Sequence, residues 1–465
     1  MSAWYLLLAA QYAIGVAIIL VVEARRTRET GPDPISLFMF VFLLQCGVPA
    51  IGLYGALPFA DRFALTGNTA FDGILRSTSF ATSQLVFLLA AWFVVCFYLG
   101  ASLATTLGRS AASRASAPRR IELRLRPLFA LLLLGLGITL ASFVSLGDSW
   151  SARYANLILF RAGFAGLERT AFNANAFSLT QAWSWLSVMC LLALASHKRR
   201  WAWWMMLAMA FTFALLGGSR RALFIPLVLW YLATVMHTRQ WRVGRMVVAA
   251  IPAFLWLAYG KAILAAIAFG GSADSVASEF SSGASALARA SAEAGITVVE
   301  SMGTITSLDL PPRLGVDHAL SAIRRLPDGM IGQELDLPER IVRISTTALV
   351  GPDALDMPPG LMGQMWLDFR AVGAVLWGLA FGALMGVLSR VAARYERSRT
   401  SAAVFALATF LVALPLNSGS LDFNLTVDTI LMMLVLAAAV RRLPAPDTSV
   451  RETGVPYELR PINIA

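Results

Sequence analysis

The sequence predicts an all-α polytopic membrane protein with about eleven transmembrane helices and a large helical extracytoplasmic loop before the last three. Two observations lead to this fold class. The 465 residues are 58% hydrophobic and 14% charged, with a mean hydropathy of +0.68, whereas a soluble domain has about 25% charged residues. The apolar residues also occur in runs of about 20 residues, the length that a helix needs to cross the hydrocarbon core.

Short Arg-rich linkers alternate along the chain with linkers that carry few Arg. Because Lys and Arg accumulate in cytoplasmic loops, this alternation predicts an N-terminus outside the membrane and a C-terminus inside. The first apolar run is followed, not preceded, by Arg residues, which favours a spanning helix over a cleaved signal peptide. The apolar segments lie near residues 4–22, 35–57, 81–104, 128–147, 176–195, 201–217, 222–237, 247–268, 371–389, 401–417 and 425–440.

These segments divide the chain into four parts. We expect an N-terminal transmembrane bundle of about eight helices at 1–268, the large extracytoplasmic loop at 269–370, C-terminal transmembrane helices at 371–442 and a cytoplasmic tail at 443–465. A medium loop, residues 148–175, is also predicted to lie outside.

Composition excludes several functions. The net charge of +11 comes mostly from linkers that orient helices and touch anionic lipid heads, so we expect membrane lipids and no nucleic acid as partners. The three Cys lie inside apolar runs, which excludes a disulfide framework or a Cys-based metal site. The motifs for ATP hydrolysis, dinucleotide binding and zinc proteolysis are absent. We therefore predict no metal and no cofactor.

Arg220 and Arg221, in "GGSRRA", lie at a hairpin that the topology places outside, against the positive-inside rule. Residues 217–219 already supply the turn, so the two charges require another explanation. Planar guanidinium groups suit bidentate phosphate binding, and successive helical residues diverge by about 100°. We therefore expect Arg220 to point into a pyrophosphate site, and Arg221 to pair elsewhere or snorkel.

Further cations are predicted outside the membrane. Arg153, Arg161 and Arg169 recur every eight residues in the medium loop, and we expect this loop, the 218–221 turn and the 313–343 region to form one cationic cavity. The alternatives are snorkelling to lipid phosphates and pairing with nearby carboxylates. Five further Arg extend this cationic surface: Arg313, Arg324, Arg325, Arg340 and Arg343. Alternatively, they pair with nearby carboxylates, which are those of Asp317, Asp328, Glu334 and Glu339.

Two other ionisable residues are candidates. Lys261 lies within the eighth apolar segment, where a charge is a functional candidate by default, although it can also snorkel to the outer surface. His318 is the only His of the large loop, and an imidazole can act as base for a sugar hydroxyl. A surface or hydrogen-bonded His is the alternative. Asp368 and Arg370 are expected to face the cationic cluster.

The chain resembles the bacterial O-antigen polymerases, the Wzy-type oligosaccharide repeat unit polymerases. The resemblance covers the architecture from about residue 120 to 440, with "GGSRRA" at an outside hairpin and a large outside loop before the last three helices. The strongest local match is "GQMWLDFRAVG", residues 363–373, which is similar to the family's G-E-x-Y-x-N-F-G-x-x-G run. Gln364, Asp368 and Arg370 stand where the family often has Glu, Asn and Gly.

The resemblance implies a metal-independent glycosyltransferase at the outer face of the bacterial inner membrane. It would polymerise undecaprenyl-pyrophosphate-linked oligosaccharide repeat units into a cell-surface polysaccharide. Its partners would be lipid-linked donor and acceptor and a chain-length regulator. An O-antigen ligase-type transferase and a polysaccharide transporter or flippase are the alternatives. Arg220 and His318 are the expected catalytic residues, and the expected pyrophosphate ligands are Arg153, Arg161, Arg220, Arg221, Lys261, Arg324 and Arg325.

Overall fold

The structure is a computed structural model that describes most of the chain. The described residues are 2–62, 64–107, 119–162, 220–241, 283–323, 341–351, 357–396, 398–419 and 439–443, together with the single residues 208, 212, 216, 244, 339, 434 and 437.

The described part of the chain is almost entirely helical, as expected for an all-α membrane protein. The helices are α1 (Ser2–Thr27), α2 (Pro34–Phe42), α3 (Val48–Ala56), α4 (Thr69–Ser77), α5 (Phe80–Leu107), α6 (Leu125–Val144), α7 (Trp150–Ala162), α8 (Arg220–Thr238), α9 (Gly283–Ala294), α10 (Ile296–Ser307), α11 (Val316–Ile323), α12 (Ile341–Val350), α13 (Leu361–Phe369), α14 (Val372–Ala393), α15 (Arg399–Ala413) and α16 (Pro415–Ser418). Strands β1 (Arg120–Leu123) and β2 (Val440–Leu443) form an antiparallel pair.

Five helical stretches within the described residues are long and apolar enough to cross a membrane. They coincide with five of the predicted segments and cover Ala3–Thr27, Pro34–Phe59, Phe80–Thr106, Val372–Ala393 and Arg399–Ser418. The predicted segments 128–147 and 222–237 correspond to α6 and α8. Segments 176–195, 201–217, 247–268 and 425–440 lie wholly or largely outside the described residues, so the count of eleven stays a prediction.

Helices α5 and α14 pack in close contact along their length. Gly378, Gly382 and Gly386 recur every fourth residue and therefore share one face of α14. A Cβ atom at Gly382 would overlap the carbonyl oxygen of Phe97 on α5. Small residues at this spacing let two backbones approach closely, which is how helices associate where lipid supplies no hydrophobic driving force.

The second candidate span changes its helical form at residues 43–47. This π-helical turn separates α2 from α3, and Pro49 is the second residue of α3. Proline has no N–H to donate to the carbonyl four residues earlier, so a regular α-helix cannot continue unchanged there. A Cβ atom at Gly295, in the α9–α10 turn, would lie 2.6 Å from the Cβ of Pro49. The irregular turn thus receives the tip of a neighbouring hairpin.

Helices α9 and α10 form that hairpin, and it enters the bundle. The Ser285 hydroxyl at the start of α9 accepts a hydrogen bond from the Asp61 amide at 3.3 Å, just beyond the C-terminal end of the second candidate span. The chain reaches Pro49 at Gly295, and α10 returns towards α4, with Gly303 against Ile74. Val298, Val299 and Met302 are fully buried. The described part of 269–370 is helical as expected, but its layout as one outside loop is not confirmed.

Described residues from several of the linkers predicted to be cytoplasmic lie close to one another. Strand β1 pairs with β2, and Arg119 forms a parallel bridge with Tyr395. A Cβ atom at Gly31 would lie 2.6 Å from the Cβ of Arg239, which brings two further linkers together. The layout of the linkers as a whole, and the side of the membrane that they face, stay predictions.

A polar network joins α1, α2, α5 and α14. Arg26 forms ion pairs with Glu23 at 2.8 Å and Asp33 at 2.7 Å. Tyr98 donates to Glu23 at 2.8 Å, and Ser389 donates to Asp33 at 2.6 Å. Burial raises the pKa of the Asp33 carboxyl, but hydrogen bonding and attraction from Arg26 outweigh burial, so that the pKa is lowered. The network ties four helices together.

Candidate functional site

A buried carboxylate, Asp368, lies at the end of α13, a few residues before the first residue of α14. Its side chain is fully buried and accepts a hydrogen bond on each oxygen. Gln364 Nε2 donates to Oδ1 at 2.9 Å, and Trp377 Nε1 donates to Oδ2 at 3.2 Å. His318 Nε2 also lies 3.2 Å from Oδ2. The carboxylate is therefore compensated by donors, as a buried charge requires.

His318 reaches this carboxylate from α11, fifty residues earlier in the chain. Its side chain is 15% exposed and packs edge-on against the Trp377 ring, with centroids 4.5 Å apart. The ring is thus held on two sides, by a carboxylate and by an aromatic face. We call His318 and Asp368 the dyad.

A strap of backbone, residues 308–316, fixes α11 over the end of α13. The amides of Arg313 and Leu314 donate to the carbonyls of Leu367 and Asp368 at 2.9 and 3.0 Å. The Arg370 guanidinium donates back to the carbonyl of Leu310. These bonds satisfy carbonyls that the end of a helix leaves without intrahelical partners. The strap therefore positions His318 through the same residue, Asp368, that orients its ring.

Two residues around the dyad have strained backbones. Leu314 has φ +53°, and Arg370 has φ +54° with ψ −138°; sparsely populated conformations of this kind cost an L-residue about 1–3 kcal/mol each. Both are held by the hydrogen bonds between the strap and α13. Strain of this kind persists where the surrounding structure enforces it, and it clusters at functional sites.

Arg313 adds positive charge beside the dyad. Its guanidinium donates to Asp317 Oδ1 at 2.8 Å. This hydrogen bond raises the pKa of Arg313, burial lowers it, and attraction from Asp317 and Asp368 raises it further. The net pKa is raised, so Arg313 stays charged. The local pairing between Arg313 and Asp317 is the alternative that the sequence offered for this Arg.

The arrangement of the dyad suits proton transfer. In the tautomer that carries its proton on Nε2 and donates it to the carboxylate, Nδ1 carries the lone pair that can accept a proton. A carboxylate in this position favours that tautomer and can stabilise an imidazolium, as in catalytic triads. Within the described residues no group of three or more His, Cys, Asp or Glu side chains is arranged to hold a metal ion.

The structure locates some of the predicted phosphate ligands. Arg153 lies on α7, and its Nε donates to the carbonyl of Gly147 at 2.6 Å. Arg161 lies on α7, and Arg220 and Arg221 are the first two residues of α8, but their side chains are outside the described part. Lys261, Arg324 and Arg325 lie outside the described residues altogether. A pyrophosphate role for these residues stays a prediction.

The three parts of the predicted cationic cavity are only partly described. Leu216, two residues before Gly218, shares a buried cluster with Tyr154 and Leu157 of α7. In the 313–343 region, Ile341 shares a cluster with Leu308 and with Leu367 of α13. The common cavity stays a prediction, because residues 217–219 and the side chains of Arg220 and Arg221 lie outside the described part.

Sequence reasoning identified His318 as a candidate base and placed Asp368 near the cluster, but it missed Gln364 and Trp377 as partners of Asp368. The spacing of Gln364 and Asp368, four residues apart on one helix, was the available signal. The contact between Trp377 and His318 depends on the path of the strap, which no local pattern shows.

Comparison with known proteins gives no independent indication of function. No family model matches the chain, and neither a curated protein nor a solved structure matches it.

Proposed function

We propose that the chain is a membrane glycosyltransferase that polymerises undecaprenyl-pyrophosphate-linked repeat units at the outer face of the bacterial inner membrane. The dyad is the observation that carries the proposal. It combines a base with a buried carboxylate at one end of a candidate transmembrane helix. A substrate whose lipid tail stays in the bilayer presents its reacting atoms near this depth.

In the proposed reaction, His318 Nδ1 accepts the proton of a hydroxyl on the acceptor sugar. The hydroxyl oxygen forms a bond to the anomeric carbon of the donor, and the bond from that carbon to the pyrophosphate oxygen breaks. The electron pair leaves with the lipid pyrophosphate, and the proton on the imidazolium is released to water. Asp368 stabilises the imidazolium, and preorganised Arg groups stabilise the departing pyrophosphate.

The turn between α13 and α14 supports the family resemblance on which the proposal also rests. Arg370, with φ +54°, has a conformation that glycine adopts without strain, and glycine is the residue that the similar motif often has there. A Cβ atom at Gly373 would overlap the carbonyl of Met365. The spacing of this motif therefore suits the sharp turn that presents Asp368 to His318.

The test is polymerisation by the purified full-length chain in nanodiscs supplied with lipid-linked repeat units. We expect His318→Ala to reduce turnover by about 10²- to 10⁴-fold, the usual contribution of general base catalysis. His237→Ala, on α8 at the predicted cytoplasmic end, is the matched control and should retain activity. Polymer formation at the normal rate by His318→Ala would contradict the proposal.

One observation favours a transporter as the second candidate. The α9–α10 hairpin enters the bundle and carries Glu300, which is 1% exposed. Ionisable residues within membrane bundles often mark ion or substrate pathways, and broken or re-entrant helices are typical of transporters. Vesicles loaded with lipid-linked repeats distinguish the two functions, since a flippase moves single repeats across the bilayer and a polymerase lengthens them.

A further inference from the structure

The strap displays two apolar side chains beside the dyad. Leu314 is 66% exposed and Val316 is 39% exposed. Leu314 holds this position despite its φ of +53°. A glycine or asparagine would occupy the same turn with less strain. The leucine at this position is therefore unfavourable in two ways, since its backbone has a positive φ and its apolar side chain is exposed. This combination indicates a contact that becomes favourable when something apolar covers it.

The exposed surface of α14 begins next to the strap. Val372 is 56% exposed and Leu376 is 43% exposed. They are four residues apart and therefore share one face of the helix, and Leu384 and Val387 extend the exposed apolar surface towards the other end. Because α14 is long and apolar enough to cross a membrane, we expect this exposed apolar surface to face lipid.

The dyad adjoins this exposed surface. Trp377 follows Leu376 directly, so its side chain lies about 100° around the helix from the exposed leucine. His318 packs on Trp377. His318, whose side chain is 15% exposed, therefore lies between the exposed surface of α14 and the strap.

We propose that Leu314 and Val316 bind the apolar chain of the lipid-linked substrate, which reaches His318 sideways from the bilayer along Val372 and Leu376. This inference rests on the proposed function. It makes the two strap residues determinants of substrate specificity, selecting for a long isoprenoid chain and not for the sugar. The exposed leucine then has a partner during turnover, which accounts for its strained display.

The first experiment compares substrates that share the sugar but differ in the lipid. Leu314→Ser combined with Val316→Ser should raise KM for a polyprenyl-pyrophosphate-linked repeat by about tenfold, since several apolar carbons lose their contact. A second substrate carries the same sugar on geranyl pyrophosphate, whose lipid chain is much shorter, and its KM should stay within about twofold of the value for the unsubstituted protein. Leu7→Ser, at a leucine that is 50% exposed near the N-terminal end of α1, is the control and should change neither value.

An unchanged KM for the polyprenyl substrate would overturn the inference. An equal rise for both substrates would overturn it as well, because the substitutions would then act through the dyad. If the unsubstituted protein shows no polymerisation, the proposed function fails, and the second experiment decides the inference alone.

The second experiment needs no turnover. A nitroxide is attached at Leu314→Cys in a chain whose native Cys residues are replaced, and undecaprenyl pyrophosphate is the probe. We expect greater access to oxygen than to a water-soluble nickel complex, and reduced label mobility when the probe is added. A label that is accessible to nickel and insensitive to the probe would refute the contact.

Discussion

We expect Asp368→Asn to remove most of the transfer activity while leaving the fold nearly intact. The asparagine has the same shape and keeps one carbonyl oxygen, which can still accept from Trp377 and His318 at the positions of the present 3.2 Å contacts. Its amide nitrogen would then face Gln364 Nε2. A flip of the Gln364 amide resolves this conflict, because Oε1 of Gln364 is buried and has no hydrogen-bond partner within the described structure.

The stability cost of Asp368→Asn is therefore that of about one exchanged hydrogen bond, or about 1 kcal/mol. Asp368→Leu provides the contrast, since it leaves the buried Gln364 amide and its neighbours without an acceptor, at about 1–3 kcal/mol for each buried donor. The activity loss has another origin. A neutral amide cannot stabilise the imidazolium, so turnover should fall by about 10²- to 10⁴-fold, as for His318→Ala.

Two measurements test this separation of fold and activity. Thermal unfolding in detergent ranks the stability of the two Asp368 variants, and polymerisation in nanodiscs measures turnover. The double variant with His318→Ala should be no slower than either single variant, because both remove the same proton transfer. Activity near the normal rate in Asp368→Asn would refute the dyad, and equal destabilisation by Asn and Leu would refute the proposed amide flip.

Three other predictions concern packing, charge and phosphate binding. Gly382→Leu should lower the free energy of unfolding by about 3 kcal/mol or more, since a side chain cannot fit against α5. Gly137→Ala is the control, because a Cβ atom there meets no atom within 4 Å, and it should leave thermal unfolding nearly unchanged. The pKa of Asp33 is lowered in the folded protein, so its pairing with Arg26 stabilises the fold fully above pH about 4, the pKa of an Asp in the unfolded chain. This stabilisation is lost as the pH falls further. Asp33→Asn should remove this acid dependence when unfolding is measured between neutral and acidic pH. Arg220→Ala should abolish polymer at normal protein levels and Arg220→Lys should restore little, because a point charge does not reproduce a bidentate fork; full-length glycan from Arg220→Ala in a complemented deletion strain would contradict the pyrophosphate role.

The candidate spans could be predicted because a helix that crosses the hydrocarbon core needs apolar side chains along its whole length. A run of apolar residues is a local property, and the five spans within the described residues match it closely. The glycines at 378, 382 and 386 were an equally local signal for close helix packing, visible from their spacing alone.

The α9–α10 hairpin could not be predicted in the same way. Its sequence is rich in Ala, Ser and Gly and includes Arg289, Glu293 and Glu300, so it contains no apolar run of the length that predicts a span. Its burial depends on partners elsewhere in the chain, including the irregular turn before Pro49. For the same reason His318 could be identified as a candidate base, but its contacts with Asp368 and Trp377 could not.

The position of the hairpin has a consequence for the order in which the chain is assembled. Its helices have 12 residues each, too few to cross a bilayer, so neither can be inserted as an independent span. The surfaces of α3, α4 and α5 that receive it are synthesised earlier, whereas α13, which covers α10, leaves the ribosome later. We therefore expect the hairpin to pack first against α3, α4 and α5, and to become fully buried only after α13 and α14 have been synthesised. A reporter enzyme fused at Gly295 should accordingly indicate the same side of the membrane as one fused at Ser285, although the mature turn lies within the bundle.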